Sequence, residues 1–176
     1  AKEVAAESGC LFAGDICNSN IFLGDDASRA AVRAMFEEQV GWAVDAGVDF
    51  IIAETFSHME EARIAVEVIK QAGLPAVATM AIHQHPITRD GLTPQETCKR
   101  LEDAGADVVG LNCIRGPYTM LPLLQAIRNS VTAYVAALPV PYRTTEQQPT
   151  FQSLRDARYS SLPGGMPFPT ALDPFT

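Results

Sequence analysis

Short runs of apolar and β-branched residues alternate along this chain with longer stretches whose apolar residues recur every three to four positions. The short runs fall at residues 10–16, 49–55, 75–82, 105–113 and 133–140. All have the composition of buried strands, and a strand that is apolar on both faces needs cover on both. Helices of about a dozen residues between successive strands supply that cover. The alternation therefore predicts an α/β fold of right-handed βαβ units on a parallel sheet.

The repeat length suits a (β/α) barrel as well as an open doubly wound sheet. No G-x-G-x-x-G and no P-loop pattern follows any of the five runs, which argues against a nucleotide-binding open sheet. A closed TIM-type barrel takes eight strands and roughly 250 residues. With 176 residues, the expectation is an incomplete TIM-barrel-type domain of about five strands over residues 1–140. From Pro139 onward the chain carries seven prolines and no sustained periodicity. Residues 141–176 thus read as a long irregular connection of the same domain.

Helix boundaries are signalled locally. Residues 1–9 are helix-like and end at Gly9. Asp26 or Ser28 is expected to cap a helix with the stripe Val32, Phe36, Val40, Ala43 and Val44, closed by Gly47. Trp42 in that helix reads as packing. The helix 59–72 carries Glu60 and Glu61 in its first turn, where the dipole favours them. Thr93-Pro94-Gln95-Glu96 is a capping box with proline at the first helical position, and it points Cys98 and Leu101 inward. A last helix is expected from Thr119, with Pro122 tolerated in its first turn.

The net charge of -8, with no Lys/Arg cluster, argues against a nucleic-acid partner. No apolar run approaches the roughly 20 residues of a membrane span, and the first residues do not resemble a signal peptide. A cytoplasmic protein is the simplest expectation. Cys10, Cys17, Cys98 and Cys113 contain no C-x-x-C and read as reduced thiols.

Candidate functional side chains gather at strand ends, where α/β folds bind ligands. Glu54 closes an apolar run, so its carboxylate needs a partner or a cleft. Asn112 and Cys113 end the run 105–113, although a lone cysteine is also an ordinary small buried residue. Asp15 and Asn18 could reach the same mouth or simply form a turn. His83 and His85 have a spacing that some metal sites use, but loop histidines are usually solvated. His58 could orient Glu54, or sit with Ser57 at the helix entrance.

Ala-Gly-Asp-Ile at 13–16, Val-Asp-Phe-Ile-Ile-Ala-Glu-Thr-Phe at 48–56, Pro-Ala-Val-Ala-Thr-Met at 75–80 and Gly-Leu-Asn-Cys at 110–113 resemble successive strands of the homocysteine S-methyltransferase family. The betaine-using members are the nearest. The resemblance runs from about Cys10 to the end and includes Glu60-Glu61-Ala62 and the Ala-Gly-Ala-Asp turn at 104–107. It implies zinc-dependent methyl transfer from an onium donor, of the betaine or S-methylmethionine type, to the thiol of homocysteine within a (β/α)₈ barrel, giving methionine. It maps Cys113 onto a zinc ligand. Glu54 maps onto the residue that holds the amino group of homocysteine, with Thr55 and Asn112 beside it at the substrate. Thr55 stands where the animal betaine-using members carry tyrosine.

The family's other two zinc cysteines come from a Gly-Gly-Cys-Cys pair, which this sequence lacks. By this resemblance the chain supplies the third to seventh barrel strands. The isolated chain is then expected to be inactive, and its two unpaired edges are expected to favour a homo-oligomer or a complementary chain. The alternative is a non-catalytic barrel fragment that acts only in such an assembly. A barrel aldolase or lyase commonly uses a strand-borne lysine, and none of the five runs contains one.

Overall fold

The computed structural model describes residues 1–154. Its elements are α1 (Lys2–Ser8), β1 (Ala13–Cys17), α2 (Asp26–Ala46), β2 (Phe50–Phe56), α3 (Met59–Gln71), β3 (Ala76–Met80), α4 (Pro94–Asp103), β4 (Val108–Asn112), α5 (Pro117–Arg128) and β5 (Tyr134–Leu138). All four strand pairs are parallel, and the spatial order is β1-β2-β3-β4-β5. An open doubly wound sheet reverses its strand order at a switch point; a barrel does not. The sequential order therefore makes this sheet an arc of a (β/α) barrel.

Strand alternation sorts the side chains onto two faces. Ile16, Ile51, Ala53, Ala76, Ala78, Val109 and Leu111 point outward and are buried, packed with Val32, Phe36, Val40, Ile69, Leu101 and Ile127 from the helices. The rings of Phe36 and Phe56 meet edge to face at 5.9 Å, a favoured aromatic geometry. The pairs Asp15–Ile52, Ile52–Val77, Val77–Val108 and Val108–Tyr134 form one row on the concave face. That face is open at its β5 end, where Tyr134 is 80% exposed.

Several boundaries follow local chemistry closely. Gly9 and Gly47 end their helices with φ of 70° and 75°. Thr93 and Glu96 form the reciprocal capping box. Cys98 is fully buried, and burial pushes its thiol up to about 12.

Other expectations are corrected. β1 begins at Ala13, because Phe12 instead donates its N–H to the Asp49 carboxylate at 2.6 Å. Asp25, one residue earlier than expected, caps α2 by accepting from Ser28 N at 2.7 Å. Trp42 is 62% exposed, since the buried line of α2 runs through residues 28, 32, 36 and 40 at strict four-residue spacing. α5 starts at Pro117 with Gly116 as its N-cap, so Pro122 lies in the second turn. There it lacks the N–H that would reach the Tyr118 carbonyl.

Gly110 sets how closely β4 and β5 approach. A Cβ built on it would lie 2.0 Å from the Ala136 carbonyl oxygen. Gly41 in α2 has nothing within 4 Å of such a Cβ. In urea denaturation, Gly110→Ala is expected to cost about 2 kcal/mol or more. Gly41→Ala is expected to gain up to about 1 kcal/mol. Equal midpoints for the two variants would show that the β4–β5 spacing is not limiting.

Candidate functional site

At the carboxyl end of β2 the register with β3 shifts between Ala53 and Phe56. Thr55, in that irregularity, has φ of 64°. A β-branched residue in the left-handed region carries about 1–3 kcal/mol of strain, so something must hold it there. Asn112, the last residue of β4, does so. Its Oδ1 accepts from Thr55 N at 3.0 Å, and its Nδ2 donates to Thr55 Oγ1 at 2.7 Å. The same Nδ2 also donates to Glu54 Oε2 at 3.4 Å. Asn112 is 5% exposed, so these bonds are shielded from water and worth more for it.

One residue further, Cys113 has φ of 57° and Ile114 58°, which turns the chain sharply out of the strand. Cys113 N donates to Leu138 O at 2.9 Å, and the thiol is partly buried. Glu54, Thr55 and Asn112 thus form one hydrogen-bonded group, with Cys113 next in the chain at the same end of the sheet.

The concave side of β1 and β2 is acidic. Cys17 pairs in register with Glu54. Burial first, and then the charge of Asp15, raises the Glu54 carboxyl above its ordinary value; burial also raises Asp15. Burial, followed by Asp15, Glu54 and Glu61, raises the Cys17 thiol. Among the described residues neither Glu54 nor Asp15 has an ion-pair partner. A carboxylate pair in this state is suited to receive an ammonium group.

Of the other candidates, Asn18, His83 and His58 each meet a side-chain partner. Asn18 donates to Asn20 Oδ1 at 2.8 Å within a turn whose Asn20 has φ of 62°. His83 Nε2 lies 2.9 Å from Ser57 Oγ, and burial, then the charges of Arg89 and Arg115, lower its pKa. His85 is exposed. His58 occupies the N-cap of α3 without capping it; its ring packs on Phe22 at 5.3 Å. The cap comes from Asp90, whose carboxylate accepts from Met59 N and Glu60 N, both at 3.1 Å.

Three of these fastenings had no signal in the sequence beyond the residue type. They are Asp90 on α3, the 2%-exposed Glu61 accepting from Ser19 N at 2.7 Å and Ser19 Oγ at 2.6 Å, and Arg115 on the loop after β3.

Among the described residues no three His, Cys, Asp or Glu side chains are grouped so as to hold a metal. A structural or catalytic zinc site takes three or four protein ligands. The described residues therefore do not by themselves fit zinc; Cys113 is a single donor. No helix among them is long and apolar enough to cross a membrane.

The family model for homocysteine S-methyltransferase matches residues 1–160 of this chain. Betaine–homocysteine S-methyltransferase 1 of Xenopus tropicalis is 36% identical over 151 residues, which cover 83% of this chain and 37% of that protein. An S-methylmethionine–homocysteine S-methyltransferase of Rattus norvegicus is 38% identical over 132 residues, covering 74% of this chain and 36% of its own length. The chain thus spans well under half the length of these relatives. The homocysteine methyltransferase of Escherichia coli in its apo form superposes with a TM-score of 0.65 at 18% identity, over 83% of this chain and 54% of that one. Its metallated form gives 0.63 at 19% identity, over 77% and 51%. At these identities the structural likeness supports the fold.

Two outcomes follow from the geometry. Asn112→Ala leaves the Thr55 N–H unpaired and is expected to cost about 1–3 kcal/mol in chemical denaturation. No loss would show that Thr55 keeps its conformation unaided. An acid whose pKa is raised on folding binds its proton more tightly in the native state, so it stabilises least above that raised value. As pH rises from about 4 to 7, ionisation of Glu54 and Asp15 is expected to lower the melting temperature. Glu54→Gln is expected to melt above the parent at neutral pH, with the gap closing in acid. Identical melting curves at neutral pH would contradict this.

Proposed function

This chain belongs to the homocysteine S-methyltransferase family, and we propose that it serves methyl transfer to the thiol of homocysteine as part of a larger (β/α) barrel. Glu54 receives the ammonium group of homocysteine. Its carboxylate faces the open side of the sheet with no cation partner among the described residues and a raised proton affinity, and a bound ammonium relieves its repulsion with Asp15. That carboxylate, without an ion-pair partner among the described residues and tied through Asn112 to the turn at Cys113, is the observation that carries the reading. Asn112 and Thr55 fix where the carboxylate sits, and through it where the substrate's amino-acid end lies.

A methyl donor with a positively charged nitrogen or sulfur supplies the methyl group. Betaine and S-methylmethionine, named for the relatives, are both of this kind. A thiol near its ordinary pKa is mostly protonated at neutral pH, so the homocysteine sulfur needs activation before it attacks. A zinc ion, if held beside Cys113, would supply that activation by lowering the thiol's pKa. Cys113 would be one ligand, and the other thiolates would have to come from segments outside this sequence, since its other cysteines are not grouped with Cys113. The second reading, a barrel fragment that works only with a complementary chain, is favoured by the unpaired edges of β1 and β5 and by the exposure of Tyr134 and Leu138 on the open face.

The test is homocysteine binding followed by NMR on the 176-residue chain, with and without zinc. Binding is expected at the Glu54 end of the sheet and is expected to be lost in Glu54→Gln. Zinc uptake is expected to be weak and to fall further in Cys113→Ser, with no turnover of betaine or S-methylmethionine. Turnover by the chain alone would overturn the shared zinc site, and homocysteine binding unchanged in Glu54→Gln would overturn the substrate assignment.

A further inference from the structure

Two residues beyond Cys113 the chain buries an arginine. Arg115 is 5% exposed, yet no carboxylate lies in ion-pair contact with it among the described residues. Its Nε donates to Ile82 O at 3.0 Å, and its Nη2 donates to Gln84 O at 3.0 Å and to His83 O. These bonds fasten the loop after β3 to the loop after β4. They leave both N–H groups of Nη1 without a partner among the described residues. Burial lowers the pKa of the guanidinium, as it does for a cation lacking a counter-charge.

The same place holds the amino end of α5. Gly116 offers no side chain to cap it, and Pro117 has no N–H. Gly116 N is taken by Thr144 Oγ1 at 3.1 Å. The Thr119 hydroxyl is engaged beside it, 2.6 Å from Thr144 Oγ1 and 2.8 Å from Pro149 O, and caps no amide of the first turn. The amide groups of Tyr118 and Thr119 have no partner among the described residues. A helix amino end carries partial positive charge and prefers an anion. Here a buried guanidinium lines the same cavity, bonded to carbonyl oxygens and, among the described residues, in ion-pair contact with no carboxylate. A cavity of about 420 Å³ opens at this point, lined among others by Gln84, Arg115, Tyr118, Thr119, Pro122 and Glu146.

We infer that this cavity binds a small oxyanion, a carboxylate or a phosphate, between the Arg115 guanidinium and the first turn of α5. The oxyanion accepts from Nη1 and from the free amides, and it supplies the counter-charge that the described residues lack. The volume leaves room for the rest of a small molecule carrying that group. Glu54, Thr55, Asn112 and Cys113 do not line the cavity, so the site stands or falls separately from homocysteine binding. Glu146, exposed at the wall, is the carboxylate that opposes an anion there.

The experiment titrates inorganic phosphate, and separately acetate, into the full chain at ionic strength held constant with sodium chloride. Thermal melting and, for phosphate, ³¹P line width report binding. Saturable binding of at least one is expected; a preference for phosphate marks a phosphorylated ligand, and a preference for acetate marks a carboxylate. Arg115→Gln is expected to weaken binding by at least about tenfold. Glu146→Gln, a surface change that keeps the fold, is expected to tighten it about threefold. No saturable effect of either anion, or affinity unchanged in Glu146→Gln, would overturn the assignment.

Discussion

One buried amide holds the carboxyl end of this sheet together. Asn112 reaches from β4 to β2, past the intervening β3, and its two polar atoms make three hydrogen bonds there. Without them Thr55 would have no reason to keep a left-handed backbone, and strain of about 1–3 kcal/mol would favour a regular strand end. A regular strand would remove the register shift after Ala53 and re-aim Glu54. The position of the Glu54 carboxylate therefore depends on a residue distant in sequence. The turn at Cys113 starts from that same residue, so the thiol and the carboxylate are placed by a common anchor.

The loops around this anchor are fixed mainly by polar side chains acting on backbone groups. Asp90 caps α3, Glu61 holds Ser19, and Arg115 binds the carbonyls of residues 82–84. Such contacts define loop geometry more sharply than apolar packing, because each has a direction and leaves a costly unpaired group when broken. They also divide the mouth electrically. The β1–β2 side gathers Asp15, Cys17 and Glu54, whose protons are held tightly. The α5 side gathers a buried guanidinium and a helix end whose N-cap residue supplies no side-chain cap.

Much of the architecture was legible along the chain. The apolar runs, the Thr93–Glu96 box and the closing glycines depend on neighbours within a few residues, and the structure keeps them. Where the reading slipped, a distant partner had intervened. Asp49 draws Phe12 out of β1, and the packing of α2 follows a four-residue line that leaves Trp42 outside. Glu54 and Asn112 could be singled out as polar ends of apolar runs, but nothing local showed that they touch.

The sequence by itself determined the strand–helix alternation, the parallel order and the residues delivered to the strand ends, because periodicity and capping are short-range properties of the chain. Tertiary structure alone decided which of those ends meet. It set Asn112 against Thr55, made the acids on β1 and β2 neighbours, and buried Arg115 with no carboxylate in ion-pair contact among the described residues. Those facts arise from strands and loops brought within about 3 Å after the chain has folded, the range over which hydrogen bonds act.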